Sequence, residues 1–173
     1  MVVILMGVSG AGKTAVGNRL AARLGWPFHD GDDLHPSESV RKMSTGVPLT
    51  DADRRPWLES IHDLVLRLEA EGRSAVIACS ALKEAYRRLL LDGTRQTRLV
   101  YLYGEPALIE GRLRERRGHF FDANLLLSQF AALEEPSDAI VIDVDADLDS
   151  VTASASAALG LEKGESSKEE GEH

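Results

Sequence analysis

A glycine-rich segment near the amino terminus ends in a lysine followed by a threonine. Residues 7–14 read Gly-Val-Ser-Gly-Ala-Gly-Lys-Thr and fit the pattern G-x-x-x-x-G-K-[ST]. In such a loop, glycines let backbone N–H groups turn inward around phosphate oxygens, where a Cβ would obstruct them. Lys13 would then reach the β- and γ-phosphates of a nucleotide, and the Thr14 hydroxyl would ligate Mg²⁺. The predicted nucleotide-binding residues are Gly7, Val8, Ser9, Gly10, Ala11, Gly12, Lys13 and Thr14.

The elements around this segment are those that a phosphate-binding loop requires. Five apolar residues, 2–6, precede it and predict a strand buried on both faces of a parallel sheet. After it, Val16, Leu20 and Leu24 form an apolar stripe and predict a helix from Lys13 to Leu24. A glycine-rich turn could match the pattern by chance, but the order strand, loop and helix favours nucleotide binding.

Two aspartates follow a short predicted strand at residues 28–29. Phosphoryl transfer needs a carboxylate that orders Mg²⁺, usually through water, and a second carboxylate that takes the proton of the acceptor hydroxyl. Asp30 and Asp32 suit these two roles, because we expect them at the tip of a strand that neighbours the phosphate loop. The alternative is a solvated Asp-Gly turn. Beside a phosphate loop we favour the catalytic interpretation.

Basic side chains near the predicted cleft indicate an anionic or polar acceptor. They are Lys42, Arg54, Lys83, Arg87 and Arg88. An exposed helical arginine is more often solvated than bound to a ligand, so each is weak alone. Arg54 is the strongest because it begins a predicted helix beside Asp51, Asp53 and Trp57, and we expect Trp57 itself to lie in the core.

A second basic cluster precedes residues 118–121, Gly-His-Phe-Phe. Arg112 and Arg116 are four residues apart and share a helical face. A mobile segment here, at about 112–122, could close over the nucleotide, expel water and supply positive charge to the transferring phosphoryl group. The alternative is a solvent-exposed basic helix end.

Length and composition predict one soluble α/β domain. The chain has 173 residues, a net charge of −8 and a single cysteine, Cys79. The acidic charge argues against a nucleic-acid partner, no apolar run is long enough for a membrane span, and one cysteine fits a reducing cytoplasm. Strands alternate with helices, which predicts a parallel sheet with helices on both faces and ligands at the carboxyl ends of its strands. We expect a domain at 1–160 and a disordered acidic tail at 161–173.

Several longer strings resemble a known family. They are 28–36 (Phe-His-Asp-Gly-Asp-Asp-Leu-His-Pro), 51–58 (Asp-Ala-Asp-Arg-Arg-Pro-Trp-Leu), 79–83 (Cys-Ser-Ala-Leu-Lys), 128–130 (Ser-Gln-Phe) and 133–136 (Leu-Glu-Glu-Pro). Together with the phosphate loop, they resemble the small thermoresistant-type gluconokinases, which are related to shikimate kinases and nucleoside monophosphate kinases. The resemblance covers about residues 1–159.

The resemblance implies a P-loop kinase with a five-stranded parallel sheet, a helical lid and often a homodimer. The implied reaction is ATP-dependent phosphorylation of D-gluconate at O6, which gives 6-phospho-D-gluconate and ADP. Asp30 is similar to the metal-side aspartate of shikimate kinases, and Asp32 to the aspartate that deprotonates the acceptor. Lys13, Asp32 and Arg116 would be catalytic, and Arg112 and Arg116 resemble lid and adenine-side arginines. The candidate acceptor residues are Asp32, His35, Lys42, Arg54, Lys83, Arg87 and His119.

Two other functions stay open at this point, as does the residue that holds the gluconate carboxylate. A kinase of the same fold could act on shikimate or another sugar acid, although shikimate kinases do not resemble the strings at 51–58 and 79–83. A non-catalytic nucleotide-binding module would be expected to lack the acidic pair or the lid arginines, and both are present. For the carboxylate, Arg54, Lys42, His35 and Arg87 compete.

Overall fold

A computed structural model describes residues 1–115 and 123–161, and these form one five-stranded parallel sheet with helices on both faces. The strands are β1 (Val2–Met6), β2 (Phe28–Asp30), β3 (Ala75–Ala78), β4 (Thr97–Tyr103) and β5 (Ile140–Asp143). The helices are α1 (Lys13–Leu24), α2 (Ser37–Ser44), α3 (Asp51–Ala70), α4 (Glu84–Leu91), α5 (Pro106–Glu115), α6 (Ala123–Ala132) and α7 (Leu148–Ala158), and a 3₁₀ turn covers Gly31–Leu34. The predicted fold class is confirmed.

Some sequence predictions fall outside the described residues. Arg116 and His119 lie there, and the predicted lid at 112–122 is described only as far as Glu115. The same holds for residues 162–173 of the predicted tail. None of the helices in the described part of the chain combines the length and apolarity needed to cross a membrane.

β1 lies at the centre of the sheet because its side chains are apolar on both faces. It pairs in parallel with β3 on one side and with β4 on the other. Val2, Ile4 and Met6 pack into a core shared with α3 and α4, whereas Val3 and Leu5 pack into a second core shared with α1 and α7. All five side chains are fully buried. The carboxyl end of β1 is therefore held from both sides.

β2 does not pair with β1 in the sheet. The strand order is β2-β3-β1-β4-β5, so β3 lies between the two strands. α1 connects β1 to β2 and packs against β3, which fills the position that this crossover skips. Because all pairings are parallel, the carboxyl ends of β1, β2 and β3 still meet at one edge.

The cap of α3 explains why this helix begins at Asp51, several residues before its first buried side chain, Trp57. The Thr50 hydroxyl accepts a hydrogen bond from the Asp53 N–H at 3.1 Å, and the Asp53 carboxylate accepts one from the Thr50 N–H at 2.9 Å. This reciprocal capping box satisfies two N–H groups that a helix start leaves unpaired. Thr50 is thus the cap of α3. The apolar face of this helix is buried, and it consists of Trp57, Leu58, Ile61, Leu64, Val65 and Leu68.

Gly31 lets the turn after β2 approach β3 closely. A Cβ at this position would lie 2.3 Å from the carbonyl oxygen of Ala78 and 3.1 Å from Ile61. The first of these atoms belongs to the backbone of a fully paired strand, so it cannot move aside cheaply. Gly31 therefore places Asp30 and Asp32 against the sheet.

We predict that Gly31→Ala lowers the free energy of unfolding by about 2–3 kcal/mol, because the added methyl group forces packed backbone segments apart. Urea-induced unfolding measures this. Gly111→Ala is the matched control, since a Cβ there meets nothing within 4 Å and Gly111 lies inside α5. It should be neutral or stabilise by up to about 1 kcal/mol. Equal stabilities of the two variants would contradict the prediction.

Candidate active site

The phosphate loop joins β1 to α1 and is built as its sequence predicts. Gly10 and Gly12 have φ values of +84° and +94°, which L side chains rarely adopt. Val8, before these two glycines, and Ala11, between them, bury their side chains in the core. The loop is therefore anchored by two apolar side chains while its glycines shape the backbone.

Lys13 is held across the loop by backbone carbonyls. Its Nζ donates to the carbonyl oxygens of Gly7 at 3.0 Å and Val8 at 3.1 Å. Burial lowers the pKa of Lys13 from its usual value, while the negative charges of Asp32 and Asp30 oppose this shift. The ammonium group is thus fixed at the loop and close to both predicted carboxylates.

Asp30 links the phosphate loop to the turn after β2. Its Oδ2 accepts a hydrogen bond from the Thr14 hydroxyl at 3.0 Å, and its Oδ1 accepts one from the Asp32 N–H at 3.1 Å. The second bond caps the 3₁₀ turn that carries Asp32. The structure thus brings together the residues predicted for metal binding and proton removal, although their strands are not adjacent.

Asp32 lies within this turn, and His35 follows its last residue. The Asp32 side chain is 79% exposed, and its Oδ1 is 3.9 Å from Nε2 of the buried His35 ring. His35 stacks on Trp57 with ring centroids 4.3 Å apart, and the Trp57 Nε1 donates to the carbonyl oxygen of Gly31. Burial lowers the pKa of His35, so its ring is neutral at pH 7. Trp57 is a core residue, as predicted, and it also supports the turn.

A cavity of about 470 Å³ opens between these elements. The phosphate loop, Asp30 and Asp32 line one part of it, and Arg112 and Leu113 of α5 line another. Cys79 also lines it, and burial raises the pKa of this thiol to about 12, so the sulfur stays protonated. The cavity therefore has a cationic loop and two carboxylates in one wall.

Two of the predicted acceptor-binding cations are already paired with carboxylates. Lys42 Nζ lies 2.8 Å from Asp53 Oδ1, and this hydrogen bond, together with those from Thr50, lowers the pKa of Asp53 to about 2. Lys83 Nζ lies 3.0 Å from Asp51 Oδ1. Each lysine therefore neutralises an aspartate at the start of α3.

Arg87, another predicted acceptor-binding cation, points into the protein and binds backbone carbonyls. Its side chain is buried, and Nη1 donates to the carbonyl oxygens of Ala81 at 3.0 Å and Leu82 at 2.9 Å. Ala81 has a φ of +45°, the single positive φ outside glycine among the described residues. Arg87 thus stabilises a strained loop after β3 and supports the site from inside the protein.

Arg54 differs from the other candidate cations. It is half-buried, and no carboxylate among the described residues lies within ion-pair distance of it. Its guanidinium carbon is 6.0 Å from the centroid of the Tyr86 ring, and Nη1 is 3.5 Å from the Tyr86 hydroxyl. The charge of Arg54 also contributes to the lowered pKa of His35, which places it near the acceptor end of the site.

Arg112 joins α5 to the segment after β5. Its Nη2 donates to the carbonyl oxygens of Val144 at 2.5 Å and Ala146 at 3.3 Å. The described structure therefore orients this side chain toward one end of the cavity. An adenine-side role for Arg112 stays a prediction.

Sequence reasoning missed several cavity residues and one contact to the loop. Leu113 and Glu115 of α5 line the cavity but carry no recognisable spacing signal. Gln129 of α6 accepts a hydrogen bond from the Ser9 N–H at 2.6 Å. The two residues are 120 positions apart, and Gln129 entered the sequence analysis only within a family string.

Comparisons with known proteins agree with this geometry. A family model described as shikimate kinase matches residues 9–127. A probable gluconokinase of Xenopus tropicalis is 46% identical, and the match covers 83% of this chain and 85% of that protein. The thermoresistant gluconokinase of Escherichia coli (strain K12) is 43% identical, and the match covers 83% of this chain and 84% of that one.

A solved structure extends the similarity to three dimensions. The crystal structure of a gluconokinase from Sinorhizobium meliloti 1021 superposes with a TM-score of 0.83 at 41% identity, covering 91% of this chain and 90% of that one. The phosphate loop, the paired aspartates and the sheet order thus occur in a chain that is similar to gluconokinases over most of its length. The chain belongs to the gluconokinase family of P-loop kinases.

Proposed function

We propose that this chain transfers the γ-phosphoryl group of ATP to O6 of D-gluconate, giving 6-phospho-D-gluconate and ADP. The observation that carries the proposal is the chain of contacts from Lys13 and Thr14 through Asp30 to Asp32. It brings a donor-phosphate site and a free carboxylate to the same cavity. The relatives named as gluconokinases favour gluconate over shikimate or another acceptor.

On the donor side, the loop backbone and Lys13 would hold the β- and γ-phosphates. The Thr14 hydroxyl and the Asp30 carboxylate are 3.0 Å apart and provide the hard oxygen ligands that Mg²⁺ prefers. No group of three His, Cys, Asp or Glu side chains suited to a metal occurs in the described residues. Two protein oxygens fit Mg²⁺, because this ion keeps several waters and phosphate oxygens as ligands. When bound, Mg²⁺ would neutralise charge on the phosphates.

On the acceptor side, Asp32 would act as the general base. As O6 of gluconate attacks, a bond forms between O6 and the γ-phosphorus and the bond to the β,γ-bridging oxygen breaks. Asp32 accepts the O6 proton, and ADP leaves with the bridging oxygen. The exposed carboxylate of Asp32 is suited to this role, because its own turn is fixed by Asp30 and Gly31.

Arg54 is the residue that we propose to bind the gluconate carboxylate. Lys42 and Lys83 already neutralise aspartates, Arg87 binds backbone carbonyls, and His35 is neutral at pH 7. A guanidinium group can bind a carboxylate through two parallel hydrogen bonds. The half-buried position of Arg54 also strengthens the interaction relative to an exposed ion pair.

Other features of the proposal rest on the sequence and on family membership. We propose that residues 1–160 form one kinase domain, in which Arg116 and His119 contribute to a lid at about 112–122. The free, buried thiol of Cys79 supports a cytoplasmic location. The homodimer implied by the family stays a prediction, which analytical ultracentrifugation would test.

We predict that the purified protein releases ADP from ATP in the presence of D-gluconate, and much less with shikimate, D-glucose or other sugar acids. A coupled ADP-release assay measures turnover across this panel, and ³¹P NMR identifies the product as a phosphate monoester at O6. Preferred turnover of shikimate would contradict the proposed acceptor. ATP binding without turnover of any acceptor would favour a non-catalytic module.

We predict that Asp32→Asn lowers kcat about 10²–10⁴-fold, because the amide cannot accept the O6 proton. The affinity for ADP, measured by calorimetry, should stay within about twofold, since Asp32 makes no hydrogen bond to the phosphate loop among the described contacts. Asp33→Asn is the matched control, as Asp33 is exposed in the same turn. A kcat of Asp32→Asn equal to that of the control would exclude the general-base role.

We predict that Arg54→Leu raises KM for gluconate by about 10²-fold, because a carboxylate loses a charge-assisted, bidentate partner. KM for ATP should change little. Turnover of D-glucitol, which lacks the carboxylate, should fall far less than turnover of gluconate. Arg55→Leu is the control, since Arg55 is exposed and paired with Glu59. Equal effects of the two arginine variants on KM for gluconate would contradict the assignment.

A further inference from the structure

A side chain from the carboxyl-terminal half of the chain is bonded to the tip of the phosphate loop. Oε1 of Gln129, in α6, accepts a hydrogen bond from the Ser9 N–H at a distance of 2.6 Å. Ser9 lines the cavity, whereas Gln129 has no role in the reaction as described above. The Ser9 amide is therefore held by a group that lies far from it in sequence.

The peptide unit that Gln129 holds also holds Lys13. The N–H of Ser9 and the carbonyl of Val8 belong to one planar peptide group, and they point in opposite directions. The Val8 oxygen accepts hydrogen bonds from Lys13 Nζ at 3.1 Å and from the Ala11 N–H at 3.2 Å. A rotation of this peptide would move the Lys13 contact and the Gln129 contact together.

The Ser9 side of this peptide is held less firmly than the Val8 side, where the side chain is buried and the oxygen accepts from the Ala11 N–H. The next residue, Gly10, has a φ of +84° and no side chain, so it does not restrict rotation. Leu113 of α5 packs against Gly10, because a Cβ added to this glycine would lie 2.7 Å from Leu113 Cγ. The loop tip is thus contacted by α5 through Leu113 and by α6 through Gln129.

We propose that Gln129 is a positioning residue of the donor site. By fixing the plane of the Val8–Ser9 peptide, it fixes the carbonyl that orients the Lys13 ammonium group toward the nucleotide phosphates. Gln129 acts through the backbone and need not touch the nucleotide. Because Lys13 would bind the nucleotide phosphates and not the acceptor, the loss of Gln129 should weaken nucleotide binding more than gluconate binding. The assays of turnover used to test this rest on the proposed function, whereas the binding assays do not.

The first test compares Gln129→Met with Gln129→Glu in the nucleotide-free protein. Methionine has a similar length but offers only a weak acceptor, whereas glutamate keeps an oxygen at the same reach. We expect amide hydrogen exchange of Ser9, followed by NMR, to be at least tenfold faster in Gln129→Met than in the wild type and slow again in Gln129→Glu. Unchanged exchange in Gln129→Met would overturn the proposal.

The second test measures nucleotide binding and kinetics. For Gln129→Met we expect the Kd for ADP and KM for ATP to rise about tenfold, the size typical of one lost hydrogen bond to a positioned group, with KM for gluconate within twofold of the wild type. Ser128→Ala is the control, because Ser128 is exposed on α6 and its hydroxyl donates to the Leu125 carbonyl oxygen of the same helix. It should match the wild type in each value.

The two tests separate the possible failures. If Gln129→Met raises KM for both substrates alike and lowers Tm, Gln129 has a merely structural role and the proposal is overturned. If ADP binding weakens as expected but the wild type does not phosphorylate gluconate, the proposed function fails while the role of Gln129 stands. Wild-type ADP affinity in Gln129→Met would overturn that role.

Discussion

The central strand must end in a loop that can surround phosphate oxygens, and the rest of the site depends on this constraint. β1 is fully buried between two other strands, so its carboxyl end is fixed in space. The loop that follows is shaped by left-handed glycines and anchored by Val8 and Ala11. Three contacts then connect the loop to the groups around it. Thr14 contacts Asp30, Lys13 spans Gly7 and Val8, and Gln129 binds Ser9.

Charge pairing separates the structural cations of the acceptor side from the one that is available to a ligand. Asp51 and Asp53 lie at the start of α3, where their negative charges also interact favourably with the helix dipole. They neutralise Lys83 and Lys42, and Arg87 is used to hold carbonyl groups of the loop after β3. A gluconate carboxylate would gain little from a lysine that already has an anionic partner. This pairing supports the specificity that we assign to Arg54.

The sequence predicted the elements well because their periodicity is local, and it predicted their arrangement less well. Five buried residues before a glycine loop, and a helical stripe after it, depend on neighbours within a few positions. The place of β3 between β1 and β2 depends on the path of a crossover helix, which no local pattern encodes. For the same reason, the contacts of Arg87 and Gln129 were not predicted. Whether a side chain faces a cleft or a carbonyl group depends on segments distant in sequence.

The most direct test of the account is a crystal structure of the chain with a non-hydrolysable ATP analogue, Mg²⁺ and D-gluconate. The account predicts that O6 of gluconate lies within hydrogen-bond distance of the Asp32 carboxylate and faces the γ-phosphate. It also predicts that the gluconate carboxylate binds the Arg54 guanidinium group. A gluconate bound with its carboxylate at Lys42 or Lys83, or with O6 away from Asp32, would contradict it.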